Sequence, residues 1–284
     1  LGPEAADCIL VEISRRFKEI KTDKTYLARI GSAQFGLLID NASSVDIAKT
    51  ILETFVLTIN KPIRINDYNI FIFASGGIVK ADAATTKADD ILRKADIATH
   101  HSKGLGKNIV TVFSQELEDM VLRRHKIEML LREAIKNKEF HVEYQPQLKV
   151  DDMSLIGFEV LIRWHSKTLG NIPPPEFIKI AEDTRMISDI GKWVLEQSAF
   201  EFEKLLAICK EQRILKNKLG STKLNVSINT SIYELQDDSF YPFVHQLLRR
   251  NQCLQNSLTI EVTESQFMEN PEFIIEKMEE LNRI

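Results

Sequence analysis

Strand-like and helical patterns alternate through the second half of the chain, and this alternation limits the folds open to it. The strand patterns cover residues 140–148, 155–164, 224–231 and 257–265. Helical patterns follow the last three, at 175–186 with 190–210, at 240–250 and at 272–281. Asn229 and Glu261 are separated by about the length of one βαβ unit. Repeated units of this kind build an α/β barrel or an open parallel sheet.

The strand patterns are too few for a closed barrel. A closed barrel of this kind takes about eight strands and ~250 residues, and this half of the chain offers only half that number of strands. The sequence also ends at Ile284, at the end of a helical pattern where a further strand would be expected. The pattern therefore predicts a TIM-like (β/α) barrel that is incomplete in this chain.

Polar side chains recur on one face of these strand patterns. Glu159 and Arg163 share a face of the second pattern, because strand side chains alternate. Asn229 and Glu261 sit late in the third and fourth patterns, and Gln145 late in the first. Parallel barrels keep their active sites at the carboxyl ends of the strands. Two carboxylates and an amide oxygen would form a hard ligand set that suits Mg²⁺ or Mn²⁺.

The alternative interpretation of this pattern is a set of polar residues on a solvated sheet edge. That interpretation would be preferred for one strand alone. Four strands with the same feature favour a functional site, since a central parallel strand is normally apolar on both faces.

The first half of the chain predicts an α/β or α+β sheet domain. Helical patterns cover 6–20, 45–59 and 87–102, strand patterns cover 26–39, 69–79 and 108–113, and two short strands flank an Asn66-Asp67 turn. Residues 114–138 form a charged helical stretch with an apolar stripe. We therefore expect a first domain at 1–113, a connecting helix at 114–138 and a second domain at 139–284.

Composition excludes several classes of protein. The net charge is -4, with Lys and Arg interspersed among acids, so no DNA partner is expected. Cys8, Cys209 and Cys253 are far apart, which is typical of free thiols in a reducing, cytoplasmic setting. No apolar run approaches the ~20 residues of a membrane helix. A longer parent protein could still carry an upstream sensor or membrane anchor.

Five segments of the second half resemble motifs of EAL-domain cyclic di-GMP phosphodiesterases. They are Tyr144-Gln145-Pro146, residues 158–164 (FEVLIRW), 172–182 (IPPPEFIKIAE), 226–231 (VSINTS) and 261–265 (EVTES). The resemblance implies that Glu159, Asn229 and Glu261 are metal ligands for Mg²⁺ or Mn²⁺. It implies that the dinucleotide is bound by Gln145, Leu161, Arg163 and Pro174.

The same resemblance implies a reaction and a partner. Two metals would activate a water to attack one phosphodiester bond, giving linear pGpG. Glu264 would hold the neighbouring substrate-binding loop, and the EAL domains would form a homodimer. The chain departs from the family at Arg185, where glycine is preferred, and in extra polar residues between 207 and 223. The family's DDFGTG motif and its later lysine, glutamate and glutamine have no counterpart, so this chain alone is not expected to turn over cyclic di-GMP.

The first half is similar to GGDEF diguanylate cyclases, but in a degenerate form. Gly31, Ser32, Ala33, Gln34 and Phe35 stand in place of the GGDEF motif, within residues 27–39. Residues 75–77, 95–98 and 103–108 also match, whereas the family's opening strand and its RxxD inhibitory site are missing. A cyclase needs acidic side chains to hold Mg²⁺ against the GTP phosphates. The first domain is therefore expected to be inactive as a cyclase.

Three functions remain open at this point. The parent protein hydrolyses cyclic di-GMP, or its EAL fold is a non-catalytic receptor for the dinucleotide, or the GGDEF half is a scaffold that regulates its neighbour. Lys103 and Lys107 match phosphate-contacting positions, so the GGDEF half could bind GTP; the alternative is a pair of solvated lysines. Intact Glu159, Asn229 and Glu261 favour the hydrolase.

Overall fold

The chain folds into two units in a computed structural model that describes residues 2–40, 42–81, 87–211 and 224–283. The units are Leu1–Arg123 and Arg124–Ile284. The division falls within helix α4 (Gln115–Ala134). Both units mix helices and strands, which confirms the predicted fold class. Within the described ranges, none of the helices combines the length and the apolar character that crossing a membrane requires.

The first unit alternates helices with short strands. In chain order its elements are α1 (Gly2–Ile20), β1 (Thr25–Arg29), β2 (Phe35–Ile39), α2 (Val45–Ile59), β3 (Ile63–Ile65), β4 (Tyr68–Ile70), β5 (Gly76–Ile78), α3 (Ala88–Leu105) and β6 (Val110–Val112), followed by α4. The strands pair as β1 with β2, β3 with β4 and, in parallel, β5 with β6.

An aromatic cluster forms the centre of the first unit's core. Phe17 of α1 contacts Phe35 of β2 edge-on at 5.3 Å between ring centroids, and Phe55 of α2 at 5.0 Å. Ile13 and Ile63 are buried beside them. Aromatic pairs in these geometries add to the stabilisation that their burial provides. The core therefore fixes one face of the β1–β2 hairpin against α1 and α2.

The predicted turn at Asn66-Asp67 is confirmed, and the strand predicted at 69–79 is wrong in its middle. Ile65 pairs with Tyr68 across the turn, and Asn66 has φ +53, a conformation that asparagine tolerates well. The strand fails because β4 pairs with β3 whereas β5 pairs with β6, so the intervening residues change partner. There the Ala74 N–H donates to Asn108 Oδ1 at 3.2 Å instead of to a strand.

The second unit is built on one sheet. Its further elements are β7 (Phe140–Leu148), β8 (Leu155–Ser166), β9 (Gly170–Ile172), α5 (Pro174–Asp183), α6 (Ile187–Glu211), β10 (Asn225–Asn229), α7 (Ile232–Leu235), α8 (Phe240–Arg250), β11 (Leu258–Glu261), α9 (Glu264–Glu269) and α10 (Pro271–Asn282). The strand order is β11-β10-β8-β7, with β9 paired to β8. Strands β8, β10 and β11 are parallel, and β7 runs antiparallel to β8. Over the described ranges the sheet is open, as expected for an incomplete barrel.

One face of this sheet is apolar and packs into the unit's core. Trp164 contacts Phe177 of α5 edge-on at 5.5 Å, and Phe140 lies against both rings. Val226 and Ile228 of β10 are almost completely buried in the same cluster. Because side chains alternate along a strand, the opposite face carries the polar residues that the sequence pattern singled out.

The chain leaves the sheet earlier than the sequence pattern predicts. The strand predicted at 257–265 is wrong at its end: β11 stops at Glu261, and Glu264 begins helix α9. Thr263 is the residue before that helix and has extended backbone angles, so the chain leaves the sheet there. The extra polar residues noted between 207 and 223 fall largely on 212–223, outside the described residues.

Candidate functional site

Glu159, Asn229 and Glu261 come together on the polar face of the sheet. Asn229 Nδ2 donates a hydrogen bond to Glu159 Oε1 at 2.7 Å, from β10 to β8. Asn229 and Glu261 are direct partners in the parallel register of β10 and β11. Both are the last residues of their strands. The site is therefore assembled from three adjacent parallel strands.

The ligand atoms of these side chains are of the type that divalent cations such as Mg²⁺ bind. Two carboxylates and an amide supply oxygen ligands, which Mg²⁺ and Mn²⁺ prefer. Within the described ranges, no three residues of the types His, Cys, Asp and Glu are grouped so as to hold a metal. The set consists instead of two acids and one amide, and Asn229 turns its N–H towards Glu159. Rotation of the amide would present Oδ1 to a cation in its place.

Gln145 lies beside Glu159 on the same face. The two residues are direct partners in the antiparallel register of β7 and β8, where facing side chains lie about 5 Å apart. The antiparallel direction of β7 explains how a residue late in that strand reaches the middle of β8. Gln145 is exposed and Glu159 half-buried, so both can be reached from solvent.

Arg163 is held in an ion pair. Its Nε donates to Glu143 Oε2 at 2.8 Å, and one terminal nitrogen donates to the Ile162 carbonyl at 3.0 Å. His141 Nε2 lies 4.0 Å from the other oxygen of Glu143. An anion that approached the guanidinium would therefore compete with Glu143. Leu161 lies on the same face between Glu159 and Arg163 and is half-buried.

Pro174 and Glu264 lie at the starts of helices. Pro174 is the first residue of α5, where a missing backbone N–H has no cost. Glu264 is the first residue of α9, where a carboxylate is favoured by the helix dipole. Glu264 therefore lies in a helix and not in the strand predicted at 257–265. Its predicted role at a neighbouring loop is untouched by this change.

The loop that follows Asn229 contains contacts that the sequence did not reveal. Ser231 Oγ donates to Glu182 Oε1 of α5 at 2.7 Å, and the Ser231 N–H donates to Glu234 Oε2 at 2.8 Å. The Ser231 to Glu234 spacing is a capping-box signature that could have been found in the sequence. The contact with Glu182 joins distant parts of the chain and has no such signal.

Glu234 is an unusual member of this loop because its side chain is buried. Only 3% of the residue is exposed. Burial raises the pKa of Glu234 to about 8, opposed by the Ser231 N–H and reinforced by the nearby negative charge of Glu182. The carboxyl group is therefore mostly protonated at neutral pH.

The turn of the first unit that replaces the GGDEF motif carries no carboxylate. Gln34 folds its amide over Gly31, where a Cβ would lie 2.8 Å from Gln34 Oε1. The Arg29 guanidinium donates to the carbonyls of Gly31 (3.1 Å) and Ser32 (2.7 Å). The positively charged Arg29 side chain thus occupies the turn in which a cyclase would need acidic side chains.

The remaining predicted residues of the first unit are dispersed. Phe35 packs into the core, and Ala33 is exposed in the turn. Lys103 is exposed in the last turn of α3. Lys107 places its Nζ 4.2 Å from the ring centroid of Phe73, a cation–π contact. That contact gives Lys107 a structural explanation that does not need a phosphate.

Comparison with known families decides the membership of the chain. The EAL domain model matches residues 129–284, more than half of the chain, and the model of the diguanylate cyclase GGDEF domain matches residues 1–109. The chain belongs to the GGDEF–EAL family. In this GGDEF–EAL chain the polar face of the sheet in the second unit lies within the EAL match, and the degenerate turn lies within the GGDEF match.

Known proteins align with both units. The signaling protein YkoW of Bacillus subtilis is 30% identical over 95% of this chain and 32% of its own length. The bifunctional diguanylate cyclase/cyclic di-GMP phosphodiesterase MucR of Pseudomonas aeruginosa is 27% identical over 99% of this chain and 39% of its own length. The GGDEF–EAL chain thus spans roughly a third of the length of these relatives.

A solved structure supports the fold of the whole chain. The S helix-GGDEF-EAL structure of LapD from Vibrio cholerae has a TM-score of 0.50 and covers 99% of this chain and 62% of that chain. The sequence identity is 19%, so the likeness bears on the fold alone.

Proposed function

We propose that the protein carrying this chain hydrolyses cyclic di-GMP to pGpG with its EAL unit. The observation that carries the proposal is the convergence of Glu159, Asn229 and Glu261 on one face of adjacent parallel strands. Asn229 and Glu261 end their strands, and Glu159 lies in the middle of β8. The printed names of related proteins support the substrate: MucR and NbdA of Pseudomonas aeruginosa and PdeR of Escherichia coli are named cyclic di-GMP phosphodiesterases.

In this proposal, Glu159, Asn229 and Glu261 hold Mg²⁺ or Mn²⁺. A cation bound by these side chains would supply positive charge to the phosphodiester and would lower the pKa of an attacking water. The two carboxylates concentrate negative charge on a partly exposed face, which attracts a divalent ion to this position. The hydrogen bond from Asn229 to Glu159 keeps the two side chains at a fixed separation before the ligand arrives.

The chain's other polar residues bind and orient the dinucleotide. Arg163 donates hydrogen bonds to a phosphate oxygen, for which a guanidinium is well suited. The phosphate then replaces Glu143 as the acceptor of the Arg163 side chain. Gln145 lies next to Glu159 and can both donate and accept a hydrogen bond. Leu161 and Pro174 add apolar contact area for the ligand. Glu264 orders the loop beside the site.

A receptor that binds cyclic di-GMP without cleaving it is the second candidate. One observation favours it: Asn229 already satisfies its N–H on Glu159, an arrangement that needs no cation. In this case Arg163 and Gln145 keep their roles in binding, whereas Glu159 and Asn229 act as a structural pair.

The GGDEF unit has a regulatory role in this proposal. The Arg29-filled turn lacks acids to bind Mg²⁺ in the way a cyclase requires. Lys103 remains accessible for a GTP phosphate. We also propose that the protein forms a homodimer through its EAL domains, which analytical ultracentrifugation of the full protein would test.

Replacement of Glu159 by Gln tests the hydrolase. The glutamine can still accept the hydrogen bond from Asn229, so the change removes charge and leaves the local contact. We expect pGpG formation by the full protein that carries this chain to fall at least about 100-fold. Cyclic di-GMP binding, measured by calorimetry, should weaken less, because Arg163 and Gln145 remain.

Glu203→Gln is the matched control, because Glu203 is an exposed carboxylate on α6 away from the polar face. It should leave turnover unchanged. Undiminished turnover in Glu159→Gln would refute the assignment of Glu159. A full protein that binds cyclic di-GMP in the presence of Mg²⁺ without forming pGpG would establish the receptor instead.

A further inference from the structure

The segment 172–182 ends in Glu182, a residue to which the site just described gives no role. Glu182 lies in α5, and its Oε1 accepts the hydrogen bond from Ser231 Oγ at 2.7 Å. Ser231 stands two residues after Asn229 in the chain. The contact therefore ties the loop of a candidate ligand to a helix that is distant in sequence.

A second carboxyl group holds the same serine from the other side. Glu234 accepts the backbone N–H of Ser231 at 2.8 Å, and Ser231 itself is buried. We refer to Glu182, Ser231 and Glu234 as the Ser231 clamp. The hydroxyl of the serine is thus fixed by α5, and its backbone N–H by α7.

Helix α6 is shaped to accept the clamp. A Cβ built on Gly191 of α6 would overlap Oε1 of Glu234, so the carboxyl group lies directly against the helix backbone. The next residue, Lys192, donates to Asp237 Oδ2 at 3.0 Å and to Ser239 Oγ at 2.7 Å, just beyond α7. The clamp therefore rests on packed helices on both sides, which limits its movement.

We propose that Glu182 and Glu234 are positioning residues that hold Ser231 and thereby place Asn229 for metal binding. The inference rests on the proposed function, since it assigns Asn229 to the metal. The intervening residue links the loop to the third ligand as well: the Thr230 N–H donates to the Glu261 carbonyl at 2.8 Å. A shift of Ser231 would thus disturb two of the three ligands. Residues that orient metal ligands in this way typically change affinity or activity about 10- to 100-fold when lost.

Ser231→Ala in the full protein tests the clamp, with Mn²⁺ alone as the probe. The alanine removes the hydroxyl that donates to Glu182 and accepts the Tyr233 N–H at 3.4 Å, and it keeps the backbone N–H for Glu234. We expect the Mn²⁺ concentration at half-saturation, measured by electron paramagnetic resonance without nucleotide, to rise about tenfold or more. The kcat for pGpG formation should fall with it, and the KM for cyclic di-GMP should change less. Ser231→Thr keeps a hydroxyl and should restore Mn²⁺ binding.

Ser198→Ala is the matched control for the loss of a buried serine hydroxyl. Ser198 is fully buried on α6 and donates to its own helix, at the Val194 carbonyl (2.7 Å). It should therefore leave Mn²⁺ binding unchanged. Equal loss in Ser198→Ala and Ser231→Ala would reduce the effect to general packing and overturn the clamp.

The pair Glu182→Ala and Glu182→Gln decides the matter if Ser231→Ala does not fold. The glutamine retains an acceptor for Ser231 Oγ and should bind Mn²⁺ nearly as the unaltered protein does, whereas the alanine should not. Equal Mn²⁺ binding in Glu182→Ala and the unaltered protein would overturn the clamp alone. Failure of the unaltered protein to bind Mn²⁺ or to form pGpG would overturn the proposed function, and the clamp with it.

Discussion

At the scale of single residues, the burial of Glu234 determines the protonation state of a carboxyl group in the EAL unit. A carboxyl group in an apolar setting is costly when charged. The side chain avoids this cost by keeping its proton, since burial raises its pKa to about 8. It still accepts the Ser231 N–H in that form, because one oxygen of a protonated carboxyl group remains an acceptor.

Glu234 should make the EAL unit less stable as pH rises. The ordinary pKa of 4.5 applies to the unfolded chain and about 8 to the folded one. Between these values the folded state holds a proton that the unfolded state has released, so the free energy of unfolding falls with increasing pH. The slope from one such group is at most about 1.4 kcal/mol per pH unit. Glu234→Gln should remove that slope in urea unfolding measured from pH 5 to pH 8.

The exposed residue Glu272 provides the control for this measurement. Glu272→Gln should keep the slope of the unaltered protein, because it leaves the buried Glu234 in place. If Glu234→Gln also kept the full slope, the burial of a protonated Glu234 would be ruled out as its source.

At the scale of elements, close contact between helix α3 and strand β5 organises the GGDEF unit. A Cβ on Gly77 would lie 2.5 Å from the Thr99 N and 2.6 Å from Thr99 Oγ1. Ser102 of the same helix donates from Oγ to the Gly76 carbonyl at 2.8 Å. The strand can approach the helix this closely only because residue 77 has no side chain.

Opposite effects are expected for two Gly→Ala changes around this contact. Gly77→Ala should lower the free energy of unfolding by about 1–3 kcal/mol, because the methyl group forces α3 away from β5. Gly104 lies within α3, and a methyl group added there would meet no atom within 4 Å. Gly104→Ala should therefore raise the free energy of unfolding by up to ~1 kcal/mol, because alanine favours a helix more than glycine does. Thermal and urea unfolding of both variants measures the difference. A neutral Gly77→Ala would contradict the close approach.

Elements with a local signal could be predicted from the sequence, and those that depend on distant partners could not. The Asn66-Asp67 turn follows from its own residues, as does the strand at 140–148, which the structure reproduces as β7. The break between β4 and β5 depends on the pairing of β5 with β6, which no local pattern encodes. Glu264 was assigned to a strand because a short helix gives too few residues for its period to be recognised.

At the scale of the whole molecule, the sequence predicts which residue types form the candidate site and that they lie on a polar face of the sheet. It does not predict the contacts that hold those residues in place. Alternation along each strand predicted a polar face, and in the structure Glu159, Asn229 and Glu261 lie on one face of the sheet. The antiparallel direction of β7 and the pairing of Arg163 with Glu143 required the three-dimensional register. These contacts join strands whose relative direction is set by the connections between them, not by their own sequences.

The two units should differ in catalytic activity. We expect the protein incubated with GTP and Mg²⁺ to form no cyclic di-GMP, because Ser32, Ala33 and Gln34 offer no carboxylate and Arg29 occupies the turn. Liquid chromatography of the products, with an active diguanylate cyclase as a positive control, measures this. Product above the background of a reaction without protein would contradict the assignment.

The order of strands in the EAL sheet has a consequence for how the site comes into being. Strands β7 and β8 follow one another and pair as a hairpin, so their contacts close a short loop. The bond between Glu159 and Asn229 closes a loop of 70 residues, across α5 and α6, and loop closure slows as contacts become less local. During synthesis the chain emerges from its amino end, so Glu159 is in place well before its partners exist. A nascent chain that still lacks β11 therefore lacks Glu261, one of the three proposed metal ligands.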